Sequence, residues 1–145
     1  MILLSTLLLQ LKMKNALVFP GVSLTEAQAI SILLVKSGFP RIPRGYLSFL
    51  EQSDGLQYEG MEFFSCGTHE RAGTVFDQPT LEGYQTKYAT GRFFASRLVL
   101  GRATECLVCY NAENKCYELV QRDCLQVMLK FPRFMDVFYH LVKEQ

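Results

Sequence analysis

The chain has no tryptophan, only two histidines, and no excess of charge of either sign. Each shortage excludes something. With His69 and His140 alone, a histidine-rich metal or acid–base centre cannot be assembled. A net charge of +1 gives no global attraction to nucleic acid or to an acidic membrane surface. The Leu-rich stretch at Ile2 to Leu11 is too short to span a bilayer. It also lacks a basic residue before it and a clear small-residue cleavage site after it, so it is expected to be a buried or docking helix and not a leader. No phosphate loop, dinucleotide fingerprint or nucleophile elbow occurs anywhere.

The five cysteines form an odd set, so they cannot all be paired within the chain. Cys66, Cys106, Cys109, Cys116 and Cys124 are expected to be reduced thiols in a reducing, cytoplasmic setting. Cys106-Leu107-Val108-Cys109 has C-x-x-C spacing, but on a strand residues three apart point to opposite faces and cannot share a metal. His69-Glu70 could begin a zinc-protease motif, yet Gly73 stands where a second histidine is needed. Both histidines are expected to be solvated surface residues, and neither a metal nor a cofactor is expected.

What the chain does have is enough apolar material for one core. At 145 residues, 49% hydrophobic, with 11 Phe and 7 Tyr, it is expected to form one domain over 1–145, with 1–20 as an N-terminal helical extension. Phe19-Pro20-Gly21 ends the first segment, and Ser23-Leu24-Thr25-Glu26 has the form of a capping box. Leu24, Ala27, Ile30 and Leu34 share a face of the helix that follows, which Gly38 and Pro40 stop. A further helix starts near Pro43 with Tyr46, Leu47, Phe49 and Leu50 as its apolar face, and Asp54-Gly55 ends it.

Strands are expected at Met61 to Cys66, Arg97 to Gly101, Glu105 to Asn111, Lys115 to Val120 and Leu125 to Phe131, with a hairpin turn at Ala112-Glu113-Asn114. Between Ser65 and Arg92 the periodicity is weak, and loops with one short helix near Leu81 to Tyr88 are expected. Phe134, Val137, Phe138, Leu141 and Val142 repeat at helical spacing after Pro132. The order predicts an α+β protein, with a mainly antiparallel or mixed sheet of five or six strands. N-terminal helices and a C-terminal helix are expected to pack on it.

Several segments also resemble a known family. Phe39-Pro40-Arg41-Ile42-Pro43-Arg44-Gly45-Tyr46-Leu47-Ser48-Phe49-Leu50, then Ser53-Asp54-Gly55, resemble the proline–tyrosine–phenylalanine–leucine helix and turn of the SUKH superfamily. Leu98-Val99-Leu100-Gly101 resembles its glycine-ended strand, and Cys109-Tyr110-Asn111 with Cys116-Tyr117-Glu118-Leu119-Val120 its paired strands. Asp54 stands where the family more often has Asn, and Gly45 where it often has an acid. The resemblance covers roughly 24 to 142 by element order. It implies a non-catalytic protein-binding module, either a bacterial immunity protein that neutralises a toxin domain or a regulator like those of fungal glucan synthesis. The partner would be a protein, and a nuclease-type toxin in the first case. The oligomeric state stays open.

Charge is spread unevenly along the chain. Residues 51–82 hold Glu51, Asp54, Glu59, Glu62, Glu70, Asp77 and Glu82 against Arg71 alone, a segment charge of −6, which leaves +7 on the remainder. Many toxin domains that act on nucleic acids have basic clefts, so these seven acids are the candidate partner-binding residues. They are expected near turns and exposed, either as a partner surface or merely as solvated loop residues. A competing expectation is a hydrolase that uses two of these carboxylates, but Glu59 and Glu62 would face apart if both lay on one strand. Arg41 and Arg44 beside Tyr46 fall short of the stacking surface that nucleic-acid binding requires.

Overall fold

The structure, a computed structural model, describes residues 3–71, 74–75 and 78–143, with the backbone alone at 70, 71, 74 and 75. The Leu-rich start is helix α1 (Leu4–Met13), which buries Leu7, Leu8 and Leu11 and leaves Leu9 and Met13 exposed. A two-residue strand β1 (Leu17–Val18) follows. Helix α2 (Leu24–Lys36) begins at the expected cap, where the Glu26 N–H donates to Ser23 Oγ at 3.1 Å and the Ser23 hydroxyl donates to the Glu26 carboxylate. Its buried stripe is Ala27, Ser31 and Leu34; Leu24, placed on that face by spacing, is exposed.

Helix α3 (Arg44–Gln52) presents Tyr46, Phe49 and Leu50 inward, as their spacing predicts. Strands β2 (Leu56–Tyr58) and β3 (Met61–Phe63) form a tight hairpin, and a small two-stranded hairpin, β4 (Glu70–Arg71) and β5 (Thr74–Val75), follows. Helix α4 (Leu81–Tyr88) is capped by Thr80 Oγ1, which accepts from the Gly83 N–H. Strands β6 (Arg97–Arg102), β7 (Cys106–Asn111), β8 (Cys116–Gln121) and β9 (Val127–Phe131) then form a meander, and helix α5 (Phe134–Lys143) closes the described chain.

The protein is α+β. Its main sheet runs β1-β2-β3-β6-β7-β8-β9, and every neighbouring pair is antiparallel. The sequence predicts five or six strands in a mainly antiparallel or mixed sheet. Seven form, because β1 and β2 are too short to show alternation and are specified by the neighbours they pair with. The β4–β5 hairpin, likewise, lies where loops were expected.

Both faces of the central strands are covered. On one, Phe49, Phe63, Phe134 and Phe138 form an aromatic cluster with ring centroids 5.2–5.8 Å apart, which clamps α3 and α5 to the sheet. Tyr46 of α3 is fully buried there, and its hydroxyl donates to the Phe64 and Leu100 carbonyls at 2.5 and 3.2 Å. On the other face α4 is pinned to β6 by Gln85, whose amide both donates to the Val99 carbonyl and accepts from the Val99 N–H. Glu118, fully buried in β8, is held by Arg97 Nε at 2.7 Å and by Asn111 Nδ2. Gly101 permits the close approach of β3: a Cβ there would lie 2.4 Å from the Glu62 carbonyl oxygen.

Candidate functional site

The seven acids separate by environment. Asp54, expected exposed at a turn, is 2% accessible. The Gly55 that follows has φ +93°, so the chain turns sharply after α3 and drives the Asp54 side chain inward. Its Oδ1 accepts from the Cys66 N–H at 2.7 Å. Its Oδ2 lies 3.0 Å, and its carbonyl oxygen 2.8 Å, from His69 Nε2. Both neighbours of that nitrogen are acceptors, so Nε2 carries the hydrogen and donates to them. The imidazole also stacks on Phe19, with centroids 4.2 Å apart. His69 is therefore not the solvated residue expected from the sequence; it is half-buried and tied into the corner between α3 and the segment after β3.

This corner gathers a cysteine, a histidine and an aspartate, the residue types of a nucleophilic constellation. Their wiring is different. The histidine contacts the carboxylate, and the Cys66 thiol also hydrogen-bonds to that carboxylate. Burial first, then the Asp54 charge and that hydrogen bond, push the thiol up to about 12. A nucleophilic cysteine needs the opposite shift. The corner acts as a brace that satisfies buried donors.

Glu59 and Glu62 are differently placed. Glu59 (φ +49°) and Gly60 (φ +78°) are the two residues that join β2 to β3, both left-handed, as a tight hairpin with the natural strand twist requires. Glu59 is thus at the hairpin tip and exposed, and the alternation argument that set it opposite Glu62 does not apply. Both carboxylates line one polar cleft of about 540 Å³, shared with Lys14, Asn15 and Gln57. Glu62 Oε1 accepts from Arg102 Nε at 2.9 Å, so Glu59 is the carboxylate presented free of that partner.

The remaining acids do not join this cleft. Glu51 is exposed near the end of α3. Glu82 is half-exposed in the first turn of α4, where its backbone carbonyl and its carboxylate both accept from the Thr86 hydroxyl. Glu70 lies in β4, with only its backbone described, and Asp77 lies outside the described residues. The single acidic surface expected from the charge count is, among the described residues, one two-carboxylate cleft with outlying acids.

Sequence reading missed Lys14, Asn15, Gln57 and Arg102 as parts of this site. They come from α1's end, β2 and β6, and the β1–β2, β2–β3 and β3–β6 pairings bring them together. The one local signal was Glu59-Gly60, a turn dipeptide between two short apolar runs. Among the described residues, no group of three or more His, Cys, Asp or Glu is placed to hold a metal ion, and no helix is long and apolar enough to cross a membrane. No protein-family model matches the chain, and no curated protein matches it.

Proposed function

We propose that this chain is a protein-binding module of the SUKH type, acting as an immunity protein that engages a basic toxin domain through the β2–β3 hairpin. The observation that carries this reading is the hairpin itself. It is anchored on both sides, by β1 and by β6, and it presents an exposed carboxylate at its tip beside a polar cleft. Carboxylates on a rigid element meet a basic cleft without further ordering and steer its approach. The order of two helices, a strand meander and a closing helix on the sheet supports the family resemblance.

A hydrolase using Glu59 and Glu62 competes, because the two do line one cleft. The pairing of Glu62 with Arg102 disfavours it, since that oxygen is already occupied by a guanidinium.

The test is to capture a partner on the immobilised protein, elute it with salt, identify it and assay its nuclease activity with and without the chain. Stoichiometric inhibition that weakens about tenfold or more with Glu59→Lys is the expected result. Binding that leaves the partner's activity intact would overturn neutralisation in favour of a regulatory scaffold. Turnover of a glycan or ester substrate, lost in Glu59→Gln, would favour the hydrolase.

A further inference from the structure

The long free edge of the main sheet is β9. Among the described residues it pairs with β8 on one side only, so half of its N–H and C=O groups point away from the sheet, ready to accept another strand. Soluble proteins ordinarily blunt such edges with charge, bulges or cover. β9 carries Lys130 and one bulge, at Met128, where the register slips between Leu119 and Val120. Blunting does not explain its apolar side chains, since Met128 is 54% and Leu129 44% exposed. From Leu129 to Phe131 the ladder is regular, and Pro132 then stops it.

A groove of about 490 Å³ adjoins the end of this edge, between β9 and α5. Phe131, Met135 and Tyr139 give it apolar walls, and the His140 ring lies 5.3 Å from that of Phe131. His140, expected on the solvated side of its helix, is in fact half-buried here. Residues 127–145 hold Lys130, Arg133 and Lys143 against Asp136 and Glu144, a net charge of +1. Asp136 is already paired with Arg133 at 3.0 Å, which leaves Lys130 and Lys143 as the remaining cations among the described residues of this edge.

These features discriminate among occupants. A free ladder edge selects an extended backbone, and an adjoining apolar groove selects apolar side chains at alternate positions. Surplus cations select carboxylates. A second copy paired β9 to β9 would bring two sets of these cations together, and like charges across an interface oppose association. We propose that β9 and the α5 groove form a docking edge for an extended segment of a partner protein in which aliphatic residues alternate with carboxylates. This edge lies at the other end of the strand order from the β2–β3 hairpin and does not depend on what that hairpin binds.

The probe is a fluorescein-labelled peptide of four Val-Glu repeats, followed by anisotropy and by amide hydrogen exchange of the whole chain. The controls are the same peptide N-methylated at alternate backbone nitrogens, and a Val-Lys version. The parent peptide is expected to bind and to slow exchange within 129–131, with both controls at least about tenfold weaker. Lys130→Glu combined with Lys143→Glu, both at exposed positions, is expected to weaken the parent peptide about tenfold and to strengthen the Val-Lys version. The proposal is overturned by no binding at about 1 mM peptide or by equal binding of the N-methylated form. It is also overturned if sedimentation shows the chain alone to be a dimer with these amides already protected.

Discussion

Single side chains here are set by what surrounds them, and the cysteines show it most directly. Cys66 and Cys109 are both pushed up to about 12. Burial leads in each case, followed by the Asp54 carboxylate for Cys66 and the Glu118 carboxylate for Cys109. Cys124 is exposed. Alkylation with iodoacetamide near pH 8, mapped by mass spectrometry, should therefore label Cys124 orders of magnitude faster than Cys66 or Cys109. Under denaturing conditions five free thiols should titrate. Comparable rates at Cys66 would mean that the Asp54 brace is open in solution. The same shifts have a consequence for stability. Both folded-state values lie above the ordinary 9.0, so these thiols contribute stability that is fully present below about pH 9. That contribution is lost as pH rises toward about 12. Buried Tyr46, raised first by its own burial, acts in the same direction. Denaturation midpoints should fall between pH 8 and 11, and a rise over that interval would contradict the assignment.

At the scale of elements, α5 was legible because its apolar residues repeat cleanly, and the structure buries Phe134, Val137, Phe138, Leu141 and Val142 as that repeat requires. Phe138 is fully buried against Phe49, Phe63 and Phe134, so Phe138→Ala should destabilise the fold by about 3–5 kcal/mol. His140→Ala, which removes only a half-buried ring beside Phe131, should cost below about 1 kcal/mol. Urea denaturation of both variants distinguishes them, and equal losses would mean that the helix is rotated from its observed setting. The capping box at Ser23 and the short helix at Leu81 were legible for a related reason, since their signals lie within one turn of chain. Strands β1 and β2 were not, because two or three residues carry no measurable alternation; β1 finds its partners in β2, 38 to 40 positions away, and β2 is held between β1 and β3. The β2–β3 cleft depends on those pairings, and it was hidden with them.

Across the whole molecule, the charge count correctly separated an acidic stretch from a basic remainder, but it could not say which acids face water. Net charge is a property of sequence, whereas exposure follows from which groups the fold must satisfy. Asp54 looked like another turn acid; it is consumed in holding the Cys66 N–H and His69. Glu62 looked free, and its Arg102 partner sits 40 positions later. Among the described side chains of the 51–82 acids, Glu51 and Glu59 are left exposed, with Glu82 half-exposed. The acids should therefore divide cleanly by experiment. Glu51→Lys, Glu59→Lys and Glu82→Lys should leave the denaturation midpoint within about 0.5 kcal/mol of the parent. Of these, Glu59→Lys should slow partner association most and flatten its salt dependence, because it alone reverses charge at the hairpin tip. Asp54→Ala should do the reverse. Its association rate with an identified partner should change little, while stability falls by about 2–3 kcal/mol as the buried Cys66 N–H loses a charged acceptor. Glu62→Lys should show both effects, since it places a like charge against Arg102 and alters the cleft together. Stopped-flow association at two salt concentrations, paired with urea denaturation, measures each column of this division. If Asp54→Ala slows association as strongly as Glu59→Lys while the fold stays intact, the buried corner contributes to the binding surface, and the separation of brace from cleft is wrong.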